Sequence, residues 1–218
     1  MSDIFHEVDE EVRRERLKSL WERYSLLIIA FAVLFVGSIA AWRGYEYWVS
    51  QRAAAAGAQF EAAAVLSEAG KHAEAEAAFA KVASDAPQGY RALARLRIAA
   101  AQAAATPADA VKTYDDIAGD GRLGVLWQDL AAVRAGFLLV DTAPLADMTS
   151  RLTPLTEPGR PYRHSARELL ALSAWRHQDA AAARKYVDMI SADNETPPGT
   201  RARIDVLSAL IAAGAGKS

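Results

Sequence analysis

The sequence predicts an all-α protein in which one transmembrane helix near the N-terminus is followed by an array of paired helices. Three observations predict this class: a long uncharged apolar segment, the lack of alternating β-branched and aromatic stretches, and Gly or Pro breakers between alanine-rich segments. The composition, 52% hydrophobic and 24% charged, is that of a folded protein. We expect a leader at 1–23, a transmembrane helix at 24–42, a juxtamembrane segment at 43–52 and a repeat domain at 53–218.

The leader has apolar residues every three to five positions among its charges, from Ile4 to Tyr24. This spacing predicts an amphipathic helix that runs toward the membrane. Such a helix could lie on the anionic inner leaflet, dock on a membrane partner, or be a solvated extension that only sets topology.

The apolar segment from Tyr24 to Trp42 contains no charge and would extend roughly 28 Å as a helix, close to the thickness of a bilayer core. A buried helix of a soluble protein is the alternative. Such a helix normally keeps a polar stripe, whereas Ser38 is the one polar side chain between Leu26 and Ala41. The pattern therefore favours a membrane span.

The residues flanking the span predict its orientation. Aromatic residues expected at the membrane interface stand at both ends: Trp21, Tyr24, Trp42, Tyr45 and Trp48. Basic residues concentrate before the span, which predicts a cytoplasmic N-terminus. A cleaved signal peptide is the competing account, but WRGYEYW follows where small cleavage-site residues belong. We expect a retained signal anchor in a bacterial inner membrane, with the C-terminal domain in the periplasm.

The first repeat is the clearest motif. In GKHAEAEAAFAKVASDAP, Gly70 is followed by Ala75, Phe79, Val82 and Pro87. This is the spacing of the second helix of a tetratricopeptide repeat, where a small residue lets two helices cross closely, an aromatic fills the groove and a proline closes the unit.

Later units follow at a period of about 35 residues. The corresponding positions are Ala110, Tyr114 and Ile117, then Leu145 and Leu152 in a degenerate unit, then Ala182 or Ala183 with Tyr186 or Val187. An irregular alanine-rich helical domain is the alternative. Ile204, Leu207, Leu210 and Ile211 share one side of the last segment, which is expected to cap the array.

No pattern of catalytic or metal-binding residues is present in the sequence. The chain has no cysteine and four histidines, of which His164 and His177 fall at opposite ends of one predicted helix. Asp115 and Asp116, like Glu74 and Glu76, are spaced as solvated helix faces rather than as a converging pair. We therefore expect no enzyme, no cofactor and no metal.

The predicted function is protein binding through the first helix of each pair, which lines the concave side of a repeat array. The register places Phe60, Arg95, Gln102, Trp127, Arg134 and Glu168 there. Core packing is the favoured alternative for Phe60 and Trp127, whereas the charged Arg95, Arg134 and Glu168 are expected to face solvent. Nucleic acid is an unfavourable partner because acids and bases balance after Trp42.

The layout of a charged leader (DIFHEVDEEVRRERLKSLWERY), one anchor and an alanine-rich repeat domain with GKHAEAEAAFAKV resembles the YfgM-like family of ancillary subunits of the Sec translocon. The resemblance implies an inner-membrane protein beside SecYEG that works with a membrane-anchored periplasmic chaperone, and it brings no catalytic residue or cofactor. A structural adaptor for cell-envelope assembly or cell division would have the same anchor and repeats.

Overall fold

The computed structural model describes residues 3–215, and within that range it contains α-helices, one short 3-10 helix and no β-strand. The all-α class is thereby confirmed. The helices are α1 (Asp3–Glu68), α2 (His72–Asp85), α3 (Gln88–Ala105), α4 (Pro107–Ala118), α5 (Val125–Leu139), α6 (Leu145–Leu152), α7 (Arg163–Arg176), α8 (Ala180–Ser191) and α9 (Pro198–Ala215), with the 3-10 helix at Thr153–Leu155.

The chain divides into two compact units, Met1–Arg52 and Ala53–Ser218. Helix α1 is the one described helix that is long and apolar enough to cross a membrane, and its apolar stretch has no buried residue. The amphipathic pattern expected for the leader concerns side chains before Trp21, which lie outside the described residues except for Arg14 and Lys18.

In the second unit the predicted breakers separate the helices. Gly70 has a positive φ of 75°, which glycine adopts without steric cost, and the chain turns there between α1 and α2. Pro107 is the first residue of α4, where its missing N–H leaves no hydrogen bond unmade. Helix α6 has only 8 residues, because Pro154 lies in the 3-10 helix that follows it.

The odd-numbered helices form one row of the array, since α3 contacts α5, α5 contacts α7 and α7 contacts α9. The even-numbered helices α2 to α8 pack between them. On α2 the motif residues Ala75, Phe79 and Val82 are buried, as predicted for the second helix of a repeat.

The later units confirm the repeat with one added core residue. The same face of α4 buries Ala110, Tyr114 and Ile117, and that of α8 buries Ala183, Tyr186, Val187 and Ile190. In the degenerate unit Leu152 is buried as expected, and Leu145 at the start of α6 is half-buried against the same core. Met148 is a further buried residue of this unit, which the sequence did not indicate.

Close helix approach depends on the smallest residues. A Cβ added to Gly136 of α5 would lie 3.1 Å from Leu169 Cδ1 and 3.2 Å from a Leu152 methyl. Glycine therefore lets α5 contact side chains of both α6 and α7 at this point.

Helix α9 corrects one sequence expectation. Ile204, Leu207 and Ile211 are buried as predicted, but the Leu210 side chain is 48% exposed. The buried stripe runs from Thr200 through Ile204 and Leu207 to Ile211 at helical spacing, and Leu210 falls beside it.

Replacing Leu169 with alanine should lower the free energy of unfolding by about 2–5 kcal/mol, because Leu169 is fully buried beside Gly136 and its truncation would leave a cavity. Leu126→Ala on α5 is the matched control, since Leu126 is 51% exposed and loses little burial. Denaturant unfolding of both variants in one detergent, followed by circular dichroism, measures the difference. Equal losses would contradict the core described above.

Candidate protein-interaction surface

Two large aromatic side chains are exposed on neighbouring odd-numbered helices. Phe137 of α5 is 51% exposed and Trp175 of α7 is 41% exposed, and these two helices contact each other. The positions that correspond to Gly70 in the later units are Ala105, Val140 and Gln178. Phe137 and Trp175 each lie three residues before such a position, as Gln102 does before Ala105. We call Phe137 and Trp175 the aromatic pair.

The predicted set of contact residues contains Gln102 at this register and lacks both aromatics. The same offset from Val140 and from Gln178 would have identified them. Large apolar side chains that stay exposed in a folded domain mark candidate contact surfaces.

Arg134 is the predicted residue that joins this surface. It is exposed on α5 one turn before Phe137, and residues three apart share a helix face. Trp127, in the first turn of α5, is half-buried. These two positions remain predictions as partner contacts.

Three other predicted positions make contacts inside the array. Phe60 is half-buried, with its ring centroid 5.3 Å from that of Phe79 and 6.3 Å from that of Tyr90. Arg95 donates to Asp120 at 3.0 Å, and Gln102 accepts a hydrogen bond from the Thr113 hydroxyl at 2.8 Å. Phe60 thus connects α1 with α2 and α3, while Arg95 and Gln102 connect α3 with α4 and the turn after it.

The expectation that Glu168 faces solvent is wrong, because its side chain is buried on α7. Arg203 of α9 donates to both carboxylate oxygens, at 2.5 and 2.8 Å. A bidentate arginine offsets the cost of burying this charge.

Among the described side chains, the Glu168–Arg203 pair is one of three ion pairs in which an acid precedes an arginine by 35 or 36 residues, close to one repeat period. Asp141 accepts from Arg176 at 2.5 Å, and Asp115 accepts from Arg151. Asp115 was expected on a solvated face and is instead half-buried, because Arg151 of α6 reaches it from the next repeat. We call these three pairs the inter-repeat ion pairs.

Asp129 is the most buried carboxylate of this region, with 1% of its surface exposed. Arg160, in the segment before α7, donates to Oδ1 at 2.5 Å, while Oδ2 has no partner among the described residues. Burial raises the pKa of Asp129, and the charge of Arg160 opposes that rise.

His164 and His177 lie at the two ends of α7, and His164 is part of a cluster of charged side chains there. Hydrogen bonds from Arg163 and Arg167 hold the pKa of Asp193 below its usual range, Arg163 contributing most. Burial lowers the pKa of His164, whose Nδ1 lies 3.2 Å from the Thr196 hydroxyl oxygen. His177 contacts the Ser173 carbonyl at the end of α7. Within residues 3–215, the described side chains contain no cluster of three that could hold a metal ion.

The predicted interface aromatics on α1 are all exposed: Trp21, Tyr24, Trp42, Tyr45 and Trp48. Arginines lie over two of these rings, Arg52 at 4.7 Å from the centroid of Trp48 and Arg23 at 5.9 Å from that of Tyr24. A cation over an aromatic ring suits the headgroup region. Their position in a membrane remains a prediction.

The stacked helix pairs and the exposed aromatic pair define a helical-repeat protein with a surface suited to contact other proteins. The family model for a tetratricopeptide repeat-like domain matches residues 18–169, more than half of the chain. The chain therefore belongs to the tetratricopeptide repeat-like domain family. Domains of this kind are typically non-catalytic modules for protein–protein interaction. No curated protein and no solved structure gave a significant match.

Replacing Arg160 with methionine should lower the free energy of unfolding by roughly 3–5 kcal/mol at neutral pH, because it leaves Asp129 buried without a cation. The raised folded-state pKa of Asp129 means that the folded chain binds this proton more tightly than the unfolded chain. Protonation of Asp129 therefore stabilises the folded chain fully below the ordinary carboxyl pKa. This stabilisation is lost as the pH rises through the raised pKa of the folded state. The deficit of Arg160→Met should therefore shrink on acidification.

Arg176→Met is the control, since Arg176 and Asp141 are 44% and 69% exposed and their pair should contribute roughly 0–1 kcal/mol. The double variant Asp129→Leu/Arg160→Met should regain stability, because it removes both charges. Denaturant titrations at several pH values measure all three. A deficit for Arg160→Met that is independent of pH would contradict the role given to Asp129.

Proposed function

We propose that this chain is a single-pass inner-membrane protein whose periplasmic repeat domain binds other proteins, as an ancillary subunit that links the Sec translocon to a membrane-anchored periplasmic chaperone and to exported clients. Membership of the tetratricopeptide repeat-like domain family supports the binding role. The charged leader, the single anchor and the first repeat support the assignment to the YfgM-like family. We assign the chain no catalytic role and no cofactor.

The topology rests on the asymmetry of basic residues about the span. Arg13, Arg14, Arg16, Lys18 and Arg23 precede it closely, whereas Arg43 and Arg52 follow. Basic residues near a span are retained on the cytoplasmic side. The repeat domain then lies in the periplasm, where proteins leaving the translocon are met.

The exposed aromatic pair is the observation that carries the binding role. Aromatic and arginine side chains dominate the energetics of protein interfaces, and Phe137, Trp175 and Arg134 provide both kinds. Three other residues of the predicted set form contacts within the array instead: Arg95 with Asp120, Gln102 with Thr113, and Glu168 with Arg203. We therefore place the first contact with partner proteins at the aromatic pair.

Single-cysteine labelling tests the topology directly, because the chain has no cysteine of its own. In intact cells whose outer membrane has been permeabilised, a membrane-impermeant maleimide should label Val65→Cys but not Ser2→Cys. After lysis both should react. Labelling of Ser2→Cys before lysis would reverse the proposed orientation.

Substituting Phe137→Ser and Trp175→Ser together should reduce the SecYEG and chaperone subunits that co-purify with the full chain in mild detergent by about tenfold, because interface aromatics carry most of the binding energy. Leu126→Ser with Val65→Ser is the matched control, since these side chains are 51% and 55% exposed elsewhere on the array. Quantitative mass spectrometry gives both recoveries.

Equal recovery with both double variants would remove the aromatic pair from the interface. Recovery of division or cell-wall proteins instead of SecYEG, with a septal ring of the tagged chain in cells, would contradict the translocon assignment in favour of the envelope adaptor.

A further inference from the structure

Helix α9 has a second apolar face that the array leaves exposed. Thr200, Ile204, Leu207 and Ile211 are its buried side chains among those described. A second stripe of apolar residues, one, three or four positions apart, is exposed on the opposite side: Ala202, Val206, Ala209, Leu210 and Ala213. Val206 is 63% exposed, more than Phe137 or Trp175.

The neighbouring odd-numbered helix, α7, does not leave such a face open. Helix α7 buries Leu169 and Ser173 and also Arg167, Ala171 and Ala174, so that it is covered over most of its circumference. Helix α7 packs against α8 and also contacts α9, which follow it in the array. Within residues 3–215, α9 has no even-numbered helix after it.

The rest of the array shows what kind of helix covers such a face. Helices α2, α4 and α8 each bury a small residue, a larger apolar residue four positions later and a branched one seven positions later, which we call the small, large and branched pattern. These residues are Ala75, Phe79 and Val82 on α2, then Ala110, Tyr114 and Ile117 on α4, then Ala183, Val187 and Ile190 on α8. The pattern recurs in three covering helices of one chain.

The charges at the two ends of the array favour a different protein over a second copy. Asp205 is exposed beside Val206, so two copies of α9 packed face to face would bring two such carboxylates into the same interface. Stacking α9 on the exposed side of α1 in another copy would bury Glu61, which is exposed there. A partner helix with a basic residue opposite Asp205 avoids both costs.

We propose that the exposed face of α9 binds a helix from a partner protein that carries the small, large and branched pattern of α2, α4 and α8. The partner helix occupies the place beside α9 that α8 occupies beside α7. This surface is separate from the aromatic pair, and its occupation does not depend on the translocon assignment.

The probe is a helix-stapled fluorescent peptide with the α8 sequence, AAAARKYVDMIS, which carries the pattern together with two basic residues. Fluorescence anisotropy with the full chain in detergent micelles should show binding. A second peptide with serine at the positions of Tyr186, Val187 and Ile190 should not bind. Equal binding of the two peptides would overturn the proposal.

Val206→Lys should weaken binding of the α8 peptide by about tenfold or more, because it places a charge in the centre of the face. Val65→Lys is the matched control, as an exposed valine on the first helix of the array, and should leave binding unchanged. Equal affinities of the two variants would show that the peptide binds elsewhere, for example by displacing the chain's own α8, and would overturn the proposal.

Disulfide trapping separates a partner helix from a second copy. Val206→Cys and Val65→Cys chains, each alone and also mixed, are oxidised mildly in nanodiscs that hold two copies. Similar low yields of covalent dimer in all three samples support a partner protein. A clearly higher yield for Val206→Cys alone, or for the mixture, would assign the face to self-association and overturn the proposal.

Discussion

The constraint on which this array depends is the small size of the side chains where its helices cross. Ala75, Ala110 and Ala183 are buried at equivalent positions, and Gly136 brings α5 into contact with leucines of α6 and α7. A larger side chain at these buried positions would have to displace atoms of the neighbouring helix, because interiors are packed nearly as densely as organic crystals. The abundance of alanine is thus a packing requirement as well as a consequence of its high helix propensity.

Much of the fold could be predicted because its determinants are local. The helix boundaries follow Gly70, Pro107 and similar breakers, and the buried positions of α2 and α4 follow from a short motif. The degenerate unit was harder, because Met148 joins the two predicted leucines in the core and proline ends the helix after two turns. Leu210 was misplaced for a related reason: a one-residue difference rotates a side chain by about 100°, from the buried stripe to its edge.

The candidate surface was harder to predict, because exposure depends on contacts between distant residues. Glu168 looks like a surface residue in the sequence, yet Arg203 allows it to be buried. Gln102 has the right register, yet Thr113 engages it. Phe137 and Trp175 look like core residues by type and are exposed. Residue type indicates how a side chain usually behaves, whereas the pairing of partners across the array decides where an individual side chain lies.

The inter-repeat ion pairs have a consequence for how the units of the array unfold. In each pair the acid and the arginine lie about one repeat apart, so each pair connects one unit to the next. Glu168 is the buried acid among them, and without Arg203 its charge would be buried with no cation. The fold of α7 therefore depends on α9 being in place, and the last units of the array are expected to unfold together rather than to fray from the C-terminal end.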